Sequence, residues 1–217
     1  DTAHIADAQI TTAKLSTAVL TGATDIGADL ADADLFLVDD GAGGTLRKTA
    51  ASRIKSYVGG GITMASQWRL TTSFTGDAAP IASNWEQNDG SDPAVSYYGA
   101  QMTESSGVFT FPSTGIYYVE LLVGYYINGD SGYNHSLIAA ATNGSTFNTM
   151  TECTTFITGN SSANTWASTT GSIIMDVRSL SEDLVRFDIN VDSSGTTIIG
   201  NSTRDITAAR FIRLADT

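Results

Sequence analysis

From Ile116 to Ile127 the chain is apolar at both sets of alternate positions. One set is Tyr117, Val119, Leu121, Val123 and Tyr125; the other is Tyr118, Glu120, Leu122, Gly124 and Tyr126. A strand with one wet face alternates apolar and polar residues, so this pattern predicts a strand covered on both faces. One face turns to a core, and a neighbouring subunit is the economical cover for the other. Upstream, Val108, Phe109 and Phe111 are strand formers. Pro112, Ser113, Thr114 and Gly115 then reverse the chain, because Pro112 donates no ladder hydrogen bond and Gly115 tolerates positive φ.

The same reading places a first strand at 65–74, a loop-rich stretch at 75–105, and a strand pair at 135–141 and 147–157 joined by an Asn143-Gly144 turn. Strands at 165–177 and 184–191 flank RSLSED, and 206–214 closes the chain. Val185, Phe187, Ile189 and Val191 alternate with Arg186, Asp188 and Asn190, the pattern of a strand with one wet face. Ahead of this head, Leu35–Val38 and Thr45–Lys48 read as a hairpin. Ala50–Val58 reads as a short helix with Ile54, Tyr57 and Val58 on one side. Gly59, Gly60 and Gly61 form a linker. Residues 3–37 hold a repeat of period five: Ala3, Ala8, Ala13, Ala18, Ala23, Ala28 and Ala33, each followed two positions on by Ile5, Ile10, Leu15, Leu20, Asp25, Leu30 and Leu35. That period is neither 3.5 nor 3.6 and excludes a coiled coil. The domains expected are a shaft at 1–33, a hairpin–helix module at 34–61 and a sandwich head at 62–217.

Three resemblances follow. The turn Gly107-x-Phe109-x-x-Pro112-x-x-Gly115-x-Tyr117-Tyr118, with Trp85 upstream, resembles the heads of the complement-component and tumour-necrosis-factor (TNF) superfamily. Residues 171–190 and the closing ARFIRL of 209–214 are similar to later strands of that family, whose Gly-Asp turn is Glu182-Asp183 here. This resemblance implies a ten-stranded jelly roll that trimerises around its inner sheet and binds rather than catalyses. Segments such as DAQITTAKLSTAVLTGA look like the repeats of bacteriophage tail-fibre shafts, while ADLAD resembles pentapeptide-repeat solenoids. Seven units are few for a solenoid. Three intertwined copies burying Ile5, Ile10, Leu15 and Leu20 are the preferred alternative. The module at 34–58 is similar to one that recurs in phage tail-fibre proteins.

Composition narrows the function. A net charge of −12 argues against nucleic acid and anionic membranes as partners, because phosphate affinity comes from Lys and Arg. No run reaches the roughly 20 apolar residues of a membrane helix. The lone Cys153 excludes an intrachain disulfide and reads as a small core hydrophobe. No nucleophile elbow, phosphate loop or dinucleotide fingerprint occurs, and His4 and His135 lie far apart in sequence. No cofactor or metal is implied; Asp39, Asp40, Asp130 and Asp192 read as solvated turn acids rather than calcium ligands. The Asn-x-Ser/Thr sequons read as chance in so polar a chain. The chain begins at Asp1, which points to a C-terminal piece of a longer protein.

The expectation is therefore a mainly β, homotrimeric distal part of a phage tail fibre. It would act in the virion tail outside the cell, with no enzymatic activity. Its partners would be itself, a host cell-surface glycan or outer-membrane protein, and other tail proteins through a preceding part. A secreted complement/TNF-like binding head is the alternative, and a surface-glycan depolymerase, which needs a carboxylate pair, the more remote one. Strand alternation puts PSTG, TNGS and RSLSED at the base of the head and the loops 128–135, 158–165 and 192–203 at the distal end. Receptor contacts are expected there from Asn128, Asp130, Tyr133, Asn134, Asn160, Asn164, Trp166 and Asn201, with Tyr133 and Trp166 as aromatic anchors. Trp166 reads equally as a packed strand residue. The trimer interface is expected at Ile5, Ile10, Leu15 and Leu20 in the shaft and at Tyr118, Leu122 and Tyr126 in the head. If the shaft is intertwined, Ile10→Asp or Leu15→Asp lowers the subunit count, because an unpaired charge lands near the axis. Sedimentation of the variant checks this; unfolding at constant subunit count would indicate a single-chain solenoid instead.

Overall fold

The structure is a computed structural model and describes residues 26–39, 46–58, 61–88, 97–160 and 162–217. The shaft positions Ile5, Ile10, Leu15 and Leu20 lie outside the described residues. The chain divides into two units, one up to Gly60 and one from Gly61 onward.

In the first unit, β1 (Leu35–Asp39) pairs antiparallel with β2 (Leu46–Ala50), with Phe36 opposite Thr49 and Val38 opposite Arg47. The chain passes directly into α1 (Ala51–Val58). Asp34 organises the junction: its carboxylate accepts the Ala31 amide at 2.8 Å and its carbonyl accepts the Ala51 amide at 2.8 Å. An eight-residue helix is below the roughly 12–15 residues that persist alone in water, so the hairpin has to support it. Leu30, Leu35 and Leu37 are nevertheless exposed.

The second unit is a sandwich of two antiparallel sheets. The five-stranded sheet has the order β10 (Asn148–Ile157), β9 (Ser131–Thr142), β12 (Asp183–Val191), β7 (Val108–Thr110), β6 (Thr103–Ser105). The seven-stranded sheet has β4 (Phe74–Thr75), β13 (Thr197–Ile198), β8 (Gly115–Ile127), β14 (Ala208–Ala215), β3 (Met64–Leu70) and β5 (Trp85–Gln87), with β11 (Thr165–Val177) on the other edge of β8. The antiparallel sandwich agrees with the expected jelly roll; the short β5 and β6 lie in the stretch read as loop-rich, and the two-residue β4 and β13 were not expected either.

β8 is the spine of the larger sheet. β11 follows it residue by residue from Gly115 to Ile127 on one edge, and β14 follows it from Ile116 to Leu122 on the other. Its inward set, Tyr117, Val119, Leu121, Val123 and Tyr125, is fully buried. Gly115 holds φ at 146°, and a Cβ there would lie 2.6 Å from the Ala215 carbonyl, so only glycine admits β14 alongside.

The lower half of the core is aromatic. The Phe109 ring lies 5.4 Å from Trp68, 5.5 Å from Trp85, 5.3 Å from Phe187 and 5.2 Å from Phe211, joining both sheets at one residue. The upper half packs Val123, Ile127, Ile189, Val191 and Ile198 around a small set of hydrogen-bonded polar side chains. Ser136 and Thr169 meet at 2.7 Å, and Thr169 reaches the Tyr125 hydroxyl. Burial pushes the Tyr125 phenol up to about 12, against the opposing pull of its hydrogen-bond partners Thr169 and Ser136.

Several boundaries move from the sequence reading. The first strand stops at Leu70, because Leu70 offers its carbonyl to Asn201 and the chain turns away at Thr71 to meet Asn84. β9 begins at Ser131, so the 128–135 loop shrinks to a turn at 128–130 with Gly129 at φ 141°. The 192–203 loop contains β13, whose Ile198 is buried together with the following Ile199. Asp188 is buried rather than wet: Arg186 pairs with it at 3.0 Å, yet desolvation dominates and raises its pKa. Cys153 is half-buried between β10 and β11 rather than in the core, with its thiol on the Thr170 carbonyl at 3.2 Å.

Truncation at the aromatic hub carries the largest expected cost. Phe109→Ala should lower unfolding free energy by about 3–5 kcal/mol, through lost burial and the cavity left between the sheets. Chemical denaturation of the variant against the parent chain measures it, and Phe109→Leu should recover most of the loss.

Candidate functional site

β3 and β8 run in the same direction with β14 antiparallel between them. The turns 112–115, 143–146 and 178–182 therefore gather at one end, where the Gly144 amide bonds the Glu182 carbonyl. Asp183 closes this base by accepting the Arg178 and Ser179 amides at 2.7 Å each. The segments 128–130, 158–164 and 192–207 gather at the opposite, distal end.

The distal segments are tied to one another by side chain to backbone bonds. Asp130 accepts the Gly159 amide at 2.5 Å, and Asp192 accepts the Gly132 amide at 3.0 Å. Asn128, Asp130 and Asn160 border a shallow crevice of about 360 Å³. Asn160 and Asn164 are exposed. Asn201 uses its side-chain oxygen on the Thr203 amide at 2.8 Å, as a turn residue does.

Three expected receptor residues are placed in strands rather than loops. Asn134 is fully buried and accepts the Ser131 hydroxyl at 2.8 Å, because β9 runs through this position and turns it inward. Trp166 is in β11 rather than in a distal loop or the core; it is 61% exposed, and its ring lies 4.8 Å from Tyr126. Tyr133 is a β9 residue on the outer side of the five-stranded sheet, with its ring 4.7 Å from His135.

Trp166 and Tyr126 open onto the outward face of the seven-stranded sheet. The register sets Trp166 opposite Tyr126, Thr170 opposite Leu122 and Ile174 opposite Tyr118. Ile212 flanks Tyr118 on the other side. Ile174 is 71% exposed. Leu122, Gly124, Trp166, Ile199 and Ile206 line a depression of about 480 Å³. Gly124 is required there, because a Cβ would stand 2.6 Å from the Ile206 side chain.

A polar row crosses this face between its apolar ends. Tyr118 donates to Glu120 at 2.8 Å, Arg210 pairs with Glu120, and Arg210 Nε donates to Gln67 at 3.0 Å. Gln67 and the buried Asn88 both donate to Asp205. A second apolar patch lies on the edge strand β10, where Phe156 is 70% exposed and Met150 borders a cleft with Ala140, Ile173, Ile174 and Met175. Sequence reasoning missed this patch, although Glu152, Thr154 and Phe156 already shared one side by alternation.

Among the described residues, no group of three or more His, Cys, Asp or Glu is arranged to hold a metal, and no helix is long and apolar enough to cross a membrane. No protein-family model and no curated protein matches this sequence. Solved structures do. Eiger TNF from S. frugiperda superimposes with a TM-score of 0.52 at 14% identity, over 73% of this chain and 96% of that one. The head is a TNF-like jelly roll. Murine APRIL at pH 5.0 gives a TM-score of 0.49 at 12% identity over 70% of this chain and 98% of that one. At such identities the likeness is one of fold. Within the TNF-like head, Asn134 is fully buried: Asn134→Ala should cost about 1–3 kcal/mol, through the lost hydrogen bond to Ser131, which keeps its contacts to Tyr133 and Thr196, and the space left in a packed strand. Thermal melting should show the loss, while an exposed recognition asparagine would leave the melt unchanged.

Proposed function

We propose that this chain is the distal, receptor-binding part of a homotrimeric phage tail fibre, a binding protein and not an enzyme. It works outside the cell as part of the virion tail. The observation that carries the proposal is the outward face of the TNF-like head, where Trp166, Tyr126, Leu122, Tyr118 and Ile174 form an apolar surface with no partner inside the described chain. Two exposed apolar zones on one face, at Trp166 and at Ile174, with a charged pair between them fit an interaction site. A ring of three needs two different patches, one to meet the other on the next subunit. The β10 edge, with the 70% exposed Phe156, supplies the second.

Attachment to a host rests on two further features. The hairpin–helix at 35–58 is similar to a module of phage tail fibres and leaves Leu30, Leu35 and Leu37 exposed, as a unit that packs against other copies would. The distal turns present Asn128, Asp130, Asn160 and Asn164 together on a fixed frame, which suits a host glycan or outer-membrane protein. The remaining tail proteins would be reached through a preceding part of the fibre. The TNF-like fold also favours a second reading, a secreted trimeric binding head; adsorption to bacterial cells against adsorption to animal cells distinguishes the two.

The protein should sediment as a trimer at micromolar concentration, with an interface above the roughly 2,000 Å² of permanent complexes. Trp166→Asp should dissociate it with little loss of fold, since the side chain is mostly exposed in the single chain. Light scattering together with circular dichroism checks this. A wild-type monomer, or a Trp166→Asp trimer, would contradict the proposed assembly.

A further inference from the structure

We propose that the outer face of the five-stranded sheet carries a binding site for an uncharged pyranose, built on Tyr133 and His135. The proposal rests on the attachment role given above and names its ligand class. It moves the recognition surface from the loop tips to the sheet face just below them.

The argument begins with placement. Tyr133 and His135 are two positions apart on β9 and share its outward side. Their rings are 4.7 Å apart and tilted by 44°, so the Tyr133 ring, 38% exposed, is held by its neighbour. His135 is fixed in turn from β10: its Nδ1 lies 2.8 Å from the Thr154 hydroxyl and 2.9 Å from the Glu152 carboxylate. On the other flank β12 sets the exposed Asn190 opposite His135. The Asp192 carboxylate lies just beyond, on the Gly132 amide. Three strands thus bring one supported aromatic face, a carboxylate, an amide and a hydroxyl to one spot.

Those groups match the two sides of a sugar ring. A pyranose has an apolar face of C–H bonds, which lies on an aromatic ring at small entropic cost to the protein. Its edge carries neighbouring hydroxyls, and carboxylates and amides offer paired donors and acceptors at the matching spacing. Charge decides between sugar classes. Glu152 and Asp192 flank the ring and the chain carries a net charge of −12, so acidic sugars and phosphates are repelled. An uncharged ring meets no such opposition. Three copies on one trimer would strengthen weak single contacts by about 10²–10⁴-fold where the ligand is repeated on a surface.

The test uses the full chain. Saturation-transfer NMR and calorimetry are run with methyl β-galactoside, methyl α-glucoside and N-acetylglucosamine, with N-acetylneuraminic acid as the anionic control. Binding of at least one neutral sugar and none of the acid is expected. Tyr133→Ala and Glu152→Gln should each weaken that binding at least tenfold without changing subunit count or melting temperature, and Tyr133→Phe should retain it. Absence of binding by every neutral probe, preference for the acid, or binding that survives Tyr133→Ala would overturn the site. Cell adsorption separates this from the attachment role. If Tyr133→Ala adsorbs like the parent chain, the sugar site is wrong and attachment stands. If the parent chain adsorbs to no cell, the attachment role fails, and the sugar titrations still decide the site.

Discussion

The structure depends on one strand, β8, of which one face is fully buried and the other only half covered among the described residues. β8 fills the sandwich with Tyr117, Val119, Leu121, Val123 and Tyr125, all fully buried. Its neighbours are fixed by that choice: β11 pairs along its whole length, and β14 and then β13 take the other edge. On its back Tyr118, Leu122 and Tyr126 are half-buried, with the Glu120–Arg210 pair between them. Burying that face in a second copy gains on the order of 25 cal/mol per Å² of apolar surface. Leaving it wet invites unspecific association. The strand that builds the core thus also offers, on its other face, the surface on which the proposed assembly rests.

The polar row on that face changes what kind of assembly it favours. Tyr118, Glu120, Arg210, Gln67, Asp205 and Asn88 form a connected network, already partly buried in the single chain. An ion pair that meets a partner subunit gains Coulomb energy and loses hydration, and the two nearly cancel. Its worth is in orientation. A partner that slides along the sheet would set apolar side chains against Arg210 and Glu120 and leave those charges without water or hydrogen bonds. In the proposed assembly the apolar zones at Trp166 and at Ile174 would supply attraction, and the row between them would penalise a shifted arrangement.

How far the sequence reveals this varies with the type of signal. Alternation and continuous apolar runs made β8, β11 and β12 legible almost to the residue, and the Pro112–Gly115 turn was readable from its chemistry. Asn134 was misplaced because a buried asparagine satisfied by Ser131 looks, in a linear string, like a loop residue beside Gly132. β13 was hidden because two isoleucines in a Gly/Ser/Thr stretch are too few to show a period, although both are buried. Trp166 was harder still. Strand parity alone puts it either in the core or on the surface, and only the register with Tyr126 tells which. The site on Tyr133 and His135 needs three strands to come together, and Glu152 and Asn190 come from distant parts of the chain.

The core has an aromatic base and an aliphatic top into which a few hydrogen-bonded polar side chains are set. Phe109 and its ring partners hold the sheets by dispersion and burial, which need close packing but little direction. Ser136, Thr169, Tyr125, Ser131 and Asn134 hold the upper half by directional bonds. Above them, Asp130 and Asp192 fasten the turns to backbone amides. A surface fixed in this way loses little conformational entropy when a ligand settles on it, so modest contacts suffice for binding. The same bonds restrain Tyr133, because Asp192 ties β12 to Gly132 and the Tyr133 carbonyl takes the Asp192 amide at 3.0 Å. These side-chain bonds, set among the aliphatic residues of the upper core, hold the surface above them in one arrangement before any partner arrives.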